Sequence, residues 1–137
     1  NPWDEFGATT GRPRRIGWLD CVVIKHSIMI NGVDALAITK MDTLDGMEEI
    51  KVCRSYWMDG FISDDMPSTI AEMNEVRPIY DTLPGWTEST RGITNFDDLP
   101  VNAQKFIKHI EELVERPIIL VSTGPNRSET IVVKHGR

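Results

Sequence analysis

Residues 99–125 read LPVNAQKFIKHIEELVERPIILVSTGP, and this stretch decides the fold class. After Leu99-Pro100, apolar residues recur at Ala103, Phe106, Ile107, Ile110, Leu113 and Val114, while Lys105, Lys108, Glu111, Glu112 and Glu115 fall largely on the other side. That spacing predicts an amphipathic helix with one buried face. Arg116-Pro117 ends it, because the residue before a proline is driven out of the helical region. Ile118-Ile119-Leu120-Val121 follows at once and, by composition, predicts a fully buried strand that runs directly into the turn Ser122-Thr123-Gly124-Pro125. A helix followed by a buried strand is the repeating step of an α/β protein.

Working outward, the same alternation continues. Leu19, Val22, Val23, Ile24, Ile28 and Ile30 are too dense for a surface helix and predict a buried one over Trp18–Ile30, stopped by Asn31-Gly32. Leu36–Thr39 predicts a short buried strand, Thr43–Met47 a glycine turn, and Ile50–Trp57 a half-exposed strand. Asp59-Gly60 signals a hairpin returning through Phe61 and Ile62. Residues 63–78 are irregular and acidic, with a helical turn near Ile70–Met73. Ile79–Leu83 reads as a strand closed by Pro84-Gly85-Trp86, and Ile131–Val133 as the last strand. The expected fold is α/β or α+β with a mixed sheet and flanking helices, one domain over residues 1–137.

The 137 residues carry 15 Lys and Arg against 21 Asp and Glu, a net charge of −6. A general nucleic-acid surface is excluded as the main business of such a chain, since phosphate backbones are held by cations in excess. Hydrophobic residues at 40% and charged residues at 26% are those of a soluble globular domain. No apolar run approaches the ~20 residues that span a bilayer, and no signal peptide is evident. Cys21 and Cys53 lie in apolar stretches without a CxxC or metal-ligand spacing, which favours reduced, buried thiols over a disulfide. The sequence opens at Asn1, almost directly on an arginine-bearing loop that needs structure on both sides, so the chain is expected to be a piece of a longer protein.

Three loops can carry chemistry. Thr9-Thr10-Gly11-Arg12-Pro13-Arg14-Arg15 puts two hydroxyls, a glycine and three guanidiniums within seven residues; guanidinium forks match carboxylates and phosphates. It reads as an anion-binding loop or as a solvated basic turn. Thr39-Lys40-Met41-Asp42 lies at the carboxyl end of a strand, where ligands sit in open α/β sheets. An Asp there can accept from guanine N1–H and the exocyclic amine while a Lys stem covers the purine face, although a helix-capping Asp explains the same residues. Ser122-Thr123-Gly124-Pro125, also at a strand end, can offer amide and hydroxyl donors to a purine O6, or be an ordinary turn. His26, His109 and His135 read as packed, solvated or terminal residues, and Asp64-Asp65 and Asp97-Asp98 as solvated pairs. There is no Walker-type GxxxxGK[ST] and no Ser/His/Asp arrangement.

Gly7–Arg15 followed by Gly17-Trp18-Leu19-Asp20, then Leu36–Gly46, Ile50–Cys53, Pro84-Gly85-Trp86 and Val121–Thr130 together resemble, in order and over essentially the whole chain, the C-terminal part of the adenylosuccinate synthetase family. The resemblance implies a P-loop NTPase-like fold and the joining of IMP to L-aspartate at the expense of GTP, with Mg²⁺ required, a homodimer as the usual assembly and a cytoplasmic setting. It implies that Ala8, Thr9, Thr10, Gly11, Arg12, Pro13 and Arg14 form a mobile substrate loop. Thr9, Thr10 and Arg12 would hold the aspartate carboxylates, Arg12 would lie close to IMP, and Arg14 would face aspartate and the GTP side. Lys40, Met41 and Asp42 would read guanine, with Ser122, Thr123 and Gly124 as the second wall. Pro13 stands where many relatives carry another arginine, and Asn126 replaces a frequent aspartate.

The family's phosphate loop, its IMP-deprotonating Asp, which also binds Mg²⁺, and its phosphoryl-transfer His belong to an N-terminal part not found in this sequence. No catalytic residue and no metal ligand is therefore assigned here, and the 137 residues alone are expected to be inactive. A non-catalytic GTP- or anion-binding module, or a folded subdomain without activity, are the alternatives.

Overall fold

The computed structural model describes residues 18–134. It is an α/β structure whose strands form two sheets among the described residues. In the first, β3 (Glu49–Met58) is central. It pairs along its length with antiparallel β5 (Arg77–Pro84), and its opposite edge is shared by the short parallel β1 (Leu19–Asp20) and the antiparallel β4 (Phe61–Ser63). In the second, β6 (Ile118–Ser122) lies between parallel β2 (Leu36–Ile38) and antiparallel β7 (Thr130–Val132). Helices α1 (Cys21–Asn31) and α3 (Val101–Val114) pack on each other, and α1 also packs on β3. Helix α2 is the single turn Ile70–Met73.

The amphipathic helix forms as its periodicity requires, burying Ala103, Phe106, Ile107, Ile110 and Val114. Each large apolar side chain removed from water contributes about 1.5–3 kcal/mol, so this face is a main source of core stability. The helix ends with Glu115 in the left-handed region at φ 58°, its N–H bonded to Glu111 O. Two side chains fix the path out of it: Glu111 Oε2 accepts the Ile118 N–H at 2.7 Å, and Arg116 Nε donates to Val33 O at 3.0 Å. They set the position of β6 and hence of the loop after it.

Leu19–Asp20 is extended, where the apolar density from Trp18 to Ile30 predicts helix throughout. The reason is Asp20, which keeps β-region dihedrals and folds its carboxylate back over the first helical turn, accepting from Val22 N and Val23 N at 2.9 and 3.2 Å. An N-cap of this kind starts the helix one residue later. At the other end Gly32 adopts φ 66° and closes the helix, the stop expected of Asn31-Gly32.

The strands Leu36–Thr39 and Ile118–Val121 are not buried on both faces. Ile38, Val121 and Ile131 are cross-strand partners on the covered face, at 3%, 0% and 0% exposure. Ala37, Leu120 and Val132 are partners on the other face and stand exposed. A register irregularity between Leu36 and Ala37 leaves Ile119 exposed as well. Composition cannot separate the two cases, because the same aliphatic side chains line both faces. The strand expected at 79–83 is longer, running from Arg77 to Pro84 and containing two prolines. These are tolerated because β3 is the only partner of β5 among the described residues, and an edge strand can spare an N–H. The Asp59-Gly60 hairpin forms as expected, with φ 45° and 94° at the turn.

Asp20 also joins the two halves of the first sheet's core, since Tyr56 Oη donates to its Oδ2 at 2.5 Å. Both groups are buried. Desolvation raises the Asp20 pKa above its ordinary 3.8, against the pull of the bonds from Tyr56, Val23 and Val22. The folded chain thus holds this proton more tightly than the unfolded one. Asp20's ionisation therefore subtracts from stability as pH rises from 3.8 through the raised value. Asp20→Ala is expected to lower the unfolding free energy by about 2–4 kcal/mol, from a lost cap and an orphaned buried hydroxyl. Asp20→Asn keeps one acceptor, for the amides of the first helical turn, and sets an amide N–H against Tyr56 Oη in place of Oδ2, so it recovers part of that stability and removes the downward slope over that pH window. Urea unfolding of the two variants as a function of pH measures both effects.

Candidate functional site

β2 and β6 are parallel neighbours with Ile38 opposite Val121. The chain therefore leaves both strands at one edge of the sheet, less than ~5 Å apart strand to strand. This edge receives Thr39-Lys40-Met41-Asp42 from β2 and Ser122-Thr123-Gly124 from β6. The two loops singled out in the sequence for reading a purine are thus brought together by a single pairing.

In the first loop Lys40 takes the left-handed conformation at φ 59°, turning the chain out of the strand into a 3₁₀ turn over Met41–Leu44. Thr43 fastens the turn, its N–H and Oγ1 both donating to Lys40 O at 3.0 and 2.7 Å. Met41 is fully buried in the core. Its packing anchors the loop, and its contribution to a ligand at this edge is limited to the main chain. Asp42 is half-buried, and its Oδ2 faces Arg91 Nε at 3.9 Å.

The second loop has the same division of labour. Thr123 is fully buried, and its Oγ1 donates inward to Ile93 O at 2.8 Å, while its N–H donates to Glu129 O at 2.8 Å. Ser122 Oγ donates to Gly124 O at 3.0 Å and closes the turn. Asn126, the departure from the family pattern, is exposed and gives its N–H to Glu129 Oε1 at 3.0 Å.

A third segment, Thr90–Ile93, carries both loops and was not singled out in the sequence. Arg91 meets Asp42, Gly92 N donates to Thr123 O at 3.2 Å, and Ile93 O accepts from Thr123. Its anchor is Asp45, which follows the 3₁₀ turn. Asp45 Oδ2 accepts from Thr90 N at 2.7 Å, while Oδ1 accepts from Thr90 Oγ1 and Trp86 Nε1 at 2.8 and 2.6 Å. Trp86 is held in place by its neighbour Gly85. A Cβ there would stand 1.8 Å from Met47 O, so only glycine passes, and the Gly85 N–H bonds to Glu48 O at 2.9 Å. Asp45 and Pro84-Gly85-Trp86 belong to the stretches that carry the family resemblance, but spacing alone gave them no role. Thr90, Arg91 and Gly92 belong to no motif read in the sequence.

Among the described residues no three His, Cys, Asp or Glu side chains could hold a metal ion together. Cys21 and Cys53 are free and buried. Desolvation pushes the Cys53 thiol up to about 12, the neighbouring Asp20 charge adding to the shift, and drives Cys21 upward too, so both stay protonated and unreactive at neutral pH. His109 Nε2 lies 2.7 Å from Asp81 Oδ2, and Arg54 Nε 3.0 Å from Asp81 Oδ1, an arrangement that ties α3 to the first sheet. Asp64 accepts from Ser55 Oγ at 2.6 Å. A cavity of about 790 Å³ lies between the Thr94–Asp97 segment, α3 and β7, and neither the Lys40–Asp42 loop nor the Ser122–Gly124 turn lines it. No helix among the described residues is long and apolar enough to cross a membrane. The arginine-bearing segment Ala8–Arg14, with Arg15, lies outside the described residues. The edge formed by Lys40, Asp42, Ser122 and Gly124 therefore offers charge and hydrogen bonds.

Residues 3–131 match the family model described as adenylosuccinate synthetase. The chain is 50% identical over 132 residues to adenylosuccinate synthetase 2 of Chromobacterium violaceum and 48% identical over 131 residues to the adenylosuccinate synthetase of Magnetococcus marinus. Each match covers 96% of this chain but only 31% and 30% of those relatives, so the chain spans under a third of their length. A solved structure of fully ligated adenylosuccinate synthetase from Plasmodium falciparum superposes with a TM-score of 0.83 at 38% identity, covering 96% of this chain and 32% of that one.

Asp45→Ala leaves the buried Thr90 hydroxyl and amide and the Trp86 N–H without their acceptor. The expected loss of stability is about 2–5 kcal/mol. Amide exchange at residues 90–93 should accelerate well before the helices open, which hydrogen–deuterium exchange resolves by segment. Uniform acceleration across the chain would show that Asp45 does not brace this segment in particular.

Proposed function

The chain belongs to the adenylosuccinate synthetase family, and from that membership and the paired loops we propose that it is the guanine-reading and aspartate-holding part of an enzyme that makes adenylosuccinate. The reaction consumes IMP, L-aspartate and GTP and releases adenylosuccinate, GDP and phosphate. GTP phosphorylates O6 of IMP, and the aspartate amine then displaces that phosphate. The homodimer and the cytoplasmic setting belong to the same proposal through the family. So does Mg²⁺, although the described residues do not fit a Mg²⁺ site.

The observation that supports the assignment is the β2–β6 pairing, which leaves Asp42 and the Ser122–Gly124 turn at one sheet edge. The Asp42 carboxylate accepts from N1–H and N2–H of guanine, a pair of adjacent donors that adenine lacks. The Lys40 stem lies along the base, and donors of the Ser122–Gly124 turn reach O6. Selection comes from satisfying all of these groups at once, since a base that leaves the carboxylate unpaired forfeits a charge-assisted hydrogen bond. Ala8–Arg14 supplies the remaining contacts: Thr9, Thr10 and Arg12 hold the two carboxylates of L-aspartate, while Arg12 and Arg14 place positive charge near IMP and the GTP side, where negative charge builds up. These residues position substrates. The groups that transfer protons and phosphoryl belong to the larger part of the enzyme, so the 137 residues alone are expected to show no turnover in a coupled assay for adenylosuccinate.

Asp42→Asn in the full-length enzyme tests the base assignment. Its carbonyl still accepts N1–H, but its amide now donates, which suits the 2-oxo group of xanthine and repels the 2-amino group of guanine. The expected outcome is a fall in kcat/KM for GTP of about 100-fold with a gain for xanthosine triphosphate. An unchanged preference for GTP would exclude Asp42 as the guanine reader.

A further inference from the structure

The Ser122–Gly124 turn is packed against a residue that does not belong to it. Glu129 sits in the return from the Ser122–Gly124 turn to β7 and is half-buried. Its main-chain O accepts from Thr123 N at 2.8 Å and from Thr123 Oγ1 at 3.2 Å, and its N–H donates to Asn126 O at 2.9 Å. Its Oε1 accepts the Asn126 N–H at 3.0 Å. The carboxylate is wedged beneath the turn, where a Cβ at Gly124 would come within 2.4 Å of Glu129 Cδ and 2.5 Å of both its oxygens. On its other side it reaches Gly92 of the bracing segment, where a Cβ would meet Oε2 at 3.6 Å.

We propose that Glu129 is a positioning residue for guanine recognition: its carboxylate, seated between Gly124 and Gly92, holds the Ser122–Gly124 wall at the spacing from Asp42 that a purine requires. This deepens the base-reading role given above and rests on it. The physical case is that the Ser122–Gly124 bond closes the turn on itself and Thr123 ties it to the core, while its exposed return through Asn126 is fixed by the charge-assisted bond from Asn126 N–H to the Glu129 carboxylate and by the close seat of that carboxylate against two glycines. It also accounts for glycine at position 124, where any side chain would displace the carboxylate.

The test is steady-state kinetics of Glu129→Ala and Glu129→Gln in the full-length enzyme, with thermal melts of each. Glu129→Ala is expected to raise KM for GTP about tenfold, the scale of one charge-assisted hydrogen bond partly backed up by the main-chain bonds. Its kcat and its KM for IMP and L-aspartate should stay within about twofold. Glu129→Gln keeps the acceptor and the volume and should restore KM for GTP to within about threefold. Should Glu129→Ala fail to fold, Glu129→Asp, which draws the carboxylate back by one methylene from Gly124 and Asn126, should give the same GTP-selective rise. The proposal is overturned if all kinetic constants move together, if the glutamine variant is as impaired as the alanine one, or if KM for GTP does not move. The Asp42→Asn comparison separates the causes. When it switches base preference and Glu129→Ala changes nothing, the positioning role is wrong; when it does not, the guanine assignment fails and this inference falls with it.

Discussion

The parallel pairing of β2 with β6 is the constraint on which the remaining geometry depends. Parallel strands end at the same edge, so two loops distant in sequence are delivered side by side with no further device. Helix α3, tied to the first sheet through His109–Asp81 and to β6 through Glu111, serves that pairing. Its apolar face supplies the burial, and Glu111 and Arg116 at its end convert burial into placement by holding the first residue of β6 and the Val33 carbonyl. Had the chain returned antiparallel, Asp42 and Ser122 would stand at opposite ends of the sheet.

Around that pairing the site is built by separating anchoring from presentation. In each loop one residue goes into the core, Met41 in the first and Thr123 in the second, while Lys40 stays exposed and Asp42 and Ser122 half-buried beside it. The arrangement explains why residues of such different chemistry occur side by side in short motifs. It also explains the outlying Asp45, whose carboxylate gathers an indole N–H, an amide and a hydroxyl and so steadies the segment that touches both loops. The polar groups at this edge are thus supported from below by buried hydrogen bonds, the condition under which donors and acceptors keep their aim.

Much of this was legible in the chain. The amphipathic period of 101–114, the Gly32 stop, the Asp59-Gly60 hairpin and the two strand-end loops follow from local rules, and the structure has each of them. Three things were not legible. The Asp20 cap shortened a helix whose apolar density masked its start. The exposure of Ala37, Leu120 and Val132 depends on which face of a sheet is covered, and aliphatic composition is silent about that. The bracing by Asp45, Thr90, Arg91 and Glu129 is made of contacts between residues far apart in sequence, which no short window contains. The order of motifs along the chain, from Gly7 to Thr130, compensated in part, since a conjunction of weak motifs pointed to a family that no single motif could.

The β2–β6 pairing also has a kinetic side. Leu36 and Ile118 are about 80 residues apart in the chain, so the strand pair forms only after a long loop has closed, and such contacts are entropically late. The helices and the Asp59-Gly60 hairpin can assemble from near neighbours, while the sheet edge that unites Asp42 with Ser122 exists only once the ends of the fold have met. The edge itself is therefore a property of the finished fold: a half-folded chain offers two unrelated loops, and any guest that needed both would draw the population toward completion.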